Sequence, residues 1–126
     1  MDETQQTIKQ VLQQYFDALY HSDVSLLKQV FHPQAKYITA SSGELVNLTM
    51  PDYFAMVEQR ISPASKQQTR TDQIVQIDLI SDCTALAKVK CSIPPKHFVD
   101  LLSLIKLDGR WQIISKVFHY QIDKES

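Results

Sequence analysis

Asp100 and Lys116 stand out because each puts a charge inside a run that otherwise reads as buried strand, within FVDLLSLIKLDGRWQIISKVFHY at residues 98–120. A buried charge needs a partner or a task. A carboxylate and an ammonium in one sheet offer three. They can act on a bound molecule as acid and base, they can hold its polar end, or they can pair to fix strand register. Tyr15 adds a phenol on the apolar stripe of the first helix, where it could donate to a substrate carbonyl or simply sit in the core with its hydroxyl reaching the surface.

The remaining reactive side chains carry less. His32 precedes Pro33 at an expected helix end, where it suits the helix dipole. His119 falls near the end of the last strand, on Trp111's face, and His21 and His97 sit in turns. Cys83 and Cys91 are the two cysteines; neither belongs to a Cys-x-x-Cys pair or a His cluster, so zinc and redox chemistry have no support. No metal or cofactor is expected. With Gly43 and Gly109 as the two glycines, there is no phosphate-cradling loop and no dinucleotide fingerprint.

The Asp108-Gly109 turn decides how Asp100 and Lys116 meet. A two-residue turn sets Leu107 against Arg110 and Asp100 against Val117. A three-residue turn with a bulge sets Lys106 against Arg110 and Asp100 against Lys116. The second register sorts the residues better. It collects Val99, Leu101, Ile105, Trp111, Ile113 and Val117 on one face. The other face takes Phe98, Asp100, Leu102, Leu104, Ile114, Lys116 and Phe118, an apolar wall with one cross-strand ion pair. The bulged register is therefore expected.

The elements that position these residues follow from periodicity. Ile8, Val11, Leu12, Tyr15, Phe16 and Leu19 make a helical stripe. Ser22-Asp23 offers an N-cap for a short second helix with Val24, Leu27, Val30 and Phe31 inward, ended by Pro33. Residues 35–41 read as strand, 45–48 as an antiparallel return. Thr49-Met50-Pro51-Asp52 starts a third helix with Phe54, Val57 and Ile61 inward. From about Thr69 onward the chain is strand: Val75, Ile77 and Leu79 alternate, then Ala85, Ala87, Val89, Cys91 and Ile93, with Lys88 and Lys90 on the other face. Pro94-Pro95 breaks that strand before the closing hairpin. Helices first and a meander after give an α+β layout with helices on one face of an antiparallel sheet.

At 126 residues, 44% of them hydrophobic and 21% charged, the chain is read as one globular domain, 1–126. A net charge of −1 without a basic block makes nucleic acid and anionic membranes poor partners. The polar, acidic N-terminus lacks a signal-peptide core and no apolar run has membrane-span length, so the cytoplasm is expected.

This order of elements resembles the nuclear-transport-factor-2-like superfamily, and within it the "putative lumazine-binding" group, close to SnoaL-like cyclases. The residues that carry the likeness are Phe31-His32-Pro33-Gln34-Ala35, Gly43-Glu44-Leu45, Tyr53, and Asp100-Leu101-Leu102-Ser103-Leu104 through Asp108-Gly109-Arg110-Trp111-Gln112-Ile113 to Lys116-Val117-Phe118. At Gln34 relatives usually carry Asp. The resemblance implies three helices on a strongly curved antiparallel sheet, a cone with an internal cavity, and a homodimer packed through the sheet's other face. Apolar residues on both faces of the strands around 75–80 and 101–107 agree, since such a sheet needs two covers.

The expected function is binding of a small apolar or heteroaromatic ligand, with Asp100 and Lys116 as polar contacts and Tyr15, Phe16, Leu19, Val57, Leu102 and Phe118 as walls. The alternative is a SnoaL-like cyclase, isomerase or dehydratase with Asp100 as acid/base and Tyr15 as oxyanion donor. The isomerase base of the superfamily lies on the strand after helix two, and residues 36–40 here hold no acid. A carboxylate tied to a lysine is also a poor base. A protein-interaction module is the third possibility.

Overall fold

The computed structural model describes residues 2–123. Three helices, α1 (Asp2–His21), α2 (Val24–Val30) and α3 (Met50–Glu58), pack on a six-stranded sheet. Its strands are β1 (Phe31–Thr39), β2 (Val46–Thr49), β3 (Gln73–Leu79), β4 (Thr84–Ile93), β5 (Lys96–Leu107) and β6 (Arg110–Ile122), in the order β2-β1-β6-β5-β4-β3. β1 runs parallel to β6 and every other neighbour is antiparallel. The core lies between helices and sheet. Ile8, Leu12, Tyr15, Phe16 and Leu19 are all buried, as the stripe predicts. From β4, Ala85, Ala87 and Val89 meet them.

Caps explain where the short helices start. The Asp23 carboxylate accepts from the Leu26 amide at 3.1 Å, opening α2. Thr49 precedes α3 without a side-chain cap bond, and Pro51 sits in the first turn, where its missing N–H costs nothing. Two helix ends differ from expectation. α2 stops at Val30, so Phe31, His32 and Pro33 belong to β1, which shifts register between Phe31 and Lys36. Pro33 is tolerated there because the ladder is already interrupted. The Phe31 amide still closes α2 by donating to the Leu27 carbonyl, so His32 caps nothing; its Nδ1 accepts from the Gln34 amide. α3 ends at Glu58, leaving Ile61 66% exposed; Met50, Tyr53 and Val57 are its buried residues, and Phe54 is half-buried. In β3 a register shift between Ile74 and Gln76 turns Val75 outward and leaves Ile74 facing the core.

The β5–β6 hairpin corrects the expected register. Asp108 and Gly109 both have positive φ, 52° and 75°, the signature of a two-residue turn matched to strand twist. Leu107 therefore faces Arg110, not Lys106. A bulge does occur, but four residue pairs beyond the turn: Leu104 pairs with Ile113 and Ser103 with Ser115, leaving Ile114 unpaired. Asp100 consequently faces Phe118, and Lys116 faces Leu102. The extra residue also changes sides. Trp111 and Ile113, expected opposite Lys116, are buried with it on the helix-facing side.

Candidate functional site

Asp100, Lys116 and Tyr15 do converge. Asp100 is 0% exposed on β5 and Lys116 4% exposed on β6, diagonal neighbours on the face that α1 and α3 cover. The direct ion pair expected between them is not formed. Three ion pairs exist among the described residues, two made by Arg70 and one between His97 and Asp123. Instead the Tyr15 hydroxyl, from α1, donates to Asp100 Oδ2 at 2.5 Å. Asp100 Oδ1 is buried with no partner.

Lys116 is enclosed by rings. Its Nζ lies 5.0 Å from the Phe118 ring centre, 5.1 Å from Tyr53, 5.2 Å from Tyr15 and 5.3 Å from Tyr37. It donates to the Tyr53 hydroxyl at 3.4 Å. Four aromatic faces and one hydroxyl replace water around the ammonium. Burial alone would pull its pKa down, but Tyr53, Asp100 and Tyr37 outweigh that and hold it above the ordinary lysine value. Lys116 thus stays an ammonium, an electrostatic contact rather than an amine nucleophile. Burial, reinforced by Asp100, holds the Tyr15 phenol well above its usual range, so it remains a donor. Burial first, then Asp100, pushes the nearby Cys91 thiol up to about 12, leaving it unreactive.

The wall residues Phe16, Leu19, Val57, Leu102 and Phe118 are all buried as expected. They fill the interior rather than leaving it hollow. The recess reaching Lys116 has about 10 Å³, room for roughly one water, and is lined by Leu19, Tyr37, Arg60, Cys91, Phe98 and Lys116 among others. It shares Tyr37, Arg60 and Phe98 with a cleft of about 500 Å³ at the open end, to which Lys66, Lys96 and Tyr120 contribute. Space for a molecule lies in that cleft, with the buried charges behind it. A second cleft, about 530 Å³ between α2 and α3, is lined by Val24, Phe31, Met50 and Phe54 and has only Lys28 and Glu58 as charges.

Tyr37, Tyr53 and Arg60 complete the site; Tyr53 figures in the family likeness without being read as a site residue, and no sequence motif marks Tyr37 or Arg60. Tyr53 stacks on Tyr37 at 4.6 Å between ring centres. His119 lies outside the interior, with Nδ1 2.9 Å from Ser41 Oγ, away from the buried Trp111 whose face it was expected to share. His97 is more than a turn residue. In β5, its Nδ1 is 2.7 Å from Ser92 Oγ and its Nε2 2.6 Å from Asp123 Oδ1. With His97 and Asp123 each about half exposed, water competes for these contacts.

Among the described residues no group of three His, Cys, Asp or Glu side chains could hold a metal, and no helix is long and apolar enough to cross a membrane.

Three helices on an open, curved six-stranded sheet make the nuclear-transport-factor-2-like α+β fold. The chain belongs to the family described as "Putative lumazine-binding", which matches residues 3–119. It is similar to the aldolase FrzH of a Cladobotryum species, 26% identical over 107 residues, 83% of this chain and 82% of that protein. A nuclear-transport-factor-2-like protein of unknown function from Silicibacter pomeroyi superposes with a TM-score of 0.86 at 21% identity, covering 95% of this chain and 98% of that one. A ketosteroid isomerase-like protein from Erwinia carotovora atroseptica gives 0.76 at 12% identity, covering 95% and 98%. Such identities speak for the fold alone.

Proposed function

We propose that the protein binds a small, flat, largely apolar molecule in the cleft at the open end and takes its polar end inward to Lys116 and Asp100. The observation behind this is the pair of buried charges without an ion pair. Among the described residues Lys116 makes one long hydrogen bond and Asp100 Oδ1 makes none; Lys116 lines the recess beside the cleft, and Asp100 is its diagonal neighbour on β5. A carbonyl oxygen suits an ammonium that also has a phenol beside it. The test is calorimetric titration with 2-acetylnaphthalene, a flat ketone. One molecule should bind per chain, and Lys116→Met should weaken it about tenfold, the worth of one hydrogen bond to a charged group. Unchanged binding in both Lys116→Met and Asp100→Asn would remove the assignment.

A second reading, acid–base catalysis on a carbonyl compound, is favoured by the free Asp100 Oδ1 and by the likeness to a protein named aldolase. A carboxylate oxygen positioned near a carbonyl held by an ammonium can take the proton next to that carbonyl. Exchange of the ketone's methyl protons in heavy water, followed by NMR, separates the readings. An enzyme accelerates the exchange and Asp100→Asn abolishes that; a binder leaves it at the buffer rate.

We also propose a homodimer through the sheet's outer face. Leu101 and Val117 are cross-strand neighbours there, 44% and 43% exposed; on β4 Leu101 faces Lys88, with Leu86 at 38% two residues along, and Val75 at 40% lies beyond on β3. Leu101→Lys together with Val117→Lys should convert a dimer to a monomer by light scattering. A monomeric parent protein would contradict the proposal.

A further inference from the structure

Resting on the cleft as the binding site, we infer that its natural occupant is an organic anion: a flat apolar body with a carboxylate- or phosphate-type head held at the rim by Arg60. Among the described residues the charges lining the cleft are Arg60, Lys66 and Lys96, with no Asp or Glu in its lining. Composition does not impose this, because the chain has 14 acidic and 13 basic side chains. A cleft lined by one sign of charge concentrates ligands of the other.

Arg60 is the specific element. The chain has three arginines. Arg70 is held by Asp17 and Asp72, both at 2.9 Å, and Arg110 donates to the Gln29 carbonyl at 2.6 Å. Arg60 is half-buried, and its guanidinium makes no hydrogen bond or ion pair among the described residues, its amide alone donating to the Val57 carbonyl at 3.1 Å. A guanidinium has five donors in a planar fork, matched to two oxygens of a carboxylate or phosphate. It lines both the outer cleft and the recess leading to Lys116, so a molecule bound there passes its head group.

The aromatic lining supplies the rest. Tyr37, Phe98 and Tyr120 present ring surface to a flat body. Lys96 sits 4.6 Å over the Tyr120 ring and keeps a second cation at the rim. A volume of about 500 Å³ falls within the range of small-molecule sites. The anionic head would stay at the mouth with Arg60, while a carbonyl at the far end of the body reaches toward Lys116.

Titrating 2-naphthoate, 1-naphthyl phosphate and uncharged 2-acetylnaphthalene into the intact protein tests this. At low salt at least one anion should bind about tenfold tighter than the ketone, and that advantage should shrink at about 0.5 M salt. Arg60→Gln should erase the advantage, read as the ratio of anion to ketone affinity in the same variant, and Lys116→Met should weaken the ketone. A tighter naphthoate assigns a carboxylate head and a tighter phosphate ester a phosphate head; either supports the inference. Ketone binding with no anion preference, or a preference that survives Arg60→Gln, overturns it while leaving the cleft as a ligand site. If none of the three binds, the cleft itself is the wrong site and both readings fall together.

Discussion

Lys116→Met should destabilise the protein by about 3–5 kcal/mol, because it leaves the Asp100 carboxylate in the interior with no cation near it. Asp100 is 0% exposed and its Oδ1 already lacks a partner. Met fills nearly the same volume, so packing loss contributes little. Asp100→Asn should cost about 3 kcal/mol for the mirror-image reason: the Lys116 ammonium keeps its four rings and the Tyr53 hydroxyl but loses the carboxylate that holds its charge. Asn retains an oxygen to accept from Tyr15, so the phenol is not orphaned. The double variant removes both charges together. It should lie within about 1 kcal/mol of the parent, or above it, since neutral side chains replace two desolvated ions. Equilibrium denaturation of the four proteins gives the coupling directly. Single costs that add in the double variant would show that the two charges do not sense each other.

Tyr53 should be the most costly single truncation in the site. Its ring is fully buried and touches three others, Phe31 at 5.7 Å, Tyr37 at 4.6 Å and Phe54 at 5.9 Å between centres. It is the residue by which α3 closes over the sheet. Tyr53→Ala should cost about 4 kcal/mol through lost contacts and the hole left behind. Tyr53→Phe keeps the ring and removes only the acceptor of the Lys116 hydrogen bond, at 3.4 Å, so it should cost about 1 kcal/mol. The same pair separates packing from chemistry. Tyr53→Phe should weaken 2-acetylnaphthalene binding while the protein stays folded, whereas equal stability losses in both variants would mean the hydroxyl, not the ring, carries the packing role.

The architecture was legible in the sequence because its signals are local. The Ile8 to Leu19 stripe has helical period, the Ala85 to Ile93 alternation has strand period, and Asp108-Gly109 supports the positive φ that a tight turn requires. The site residues Asp100, Lys116 and Tyr15 were legible as anomalies, polar groups on apolar faces. Their arrangement was not. Residue sorting assumed one unbroken alternation along β6, and the unpaired Ile114 breaks it, letting Trp111, Ile113, Lys116 and Phe118 share a side. A bulge leaves no glycine or other mark in Gln112 to Val117, where the adjacent Ile113 and Ile114 suit either face equally well. The aromatic enclosure of Lys116 was equally hidden, since Tyr15, Tyr37, Tyr53 and Phe118 come from four elements far apart in the chain. Arg60 follows α3 in a stretch where Ile61 was expected inside; only the helix ending at Glu58 turns it to the cleft.

That architecture also sharpens what the buried charges do. A structural ion pair would need contact, and Asp100 is bound to Tyr15 instead. An ammonium and a carboxylate oxygen left short of partners behind an open cleft are kept at a cost in stability, which is expected where a ligand completes them. The most direct measurement is therefore 2-acetylnaphthalene titration into the Asp100→Asn/Lys116→Met double variant, alongside its unfolding curve. The expected result is a protein at least about as stable as the parent that no longer binds the ketone. A double variant that unfolds far more readily would make the pair structural, and one that binds unchanged would place the ligand elsewhere.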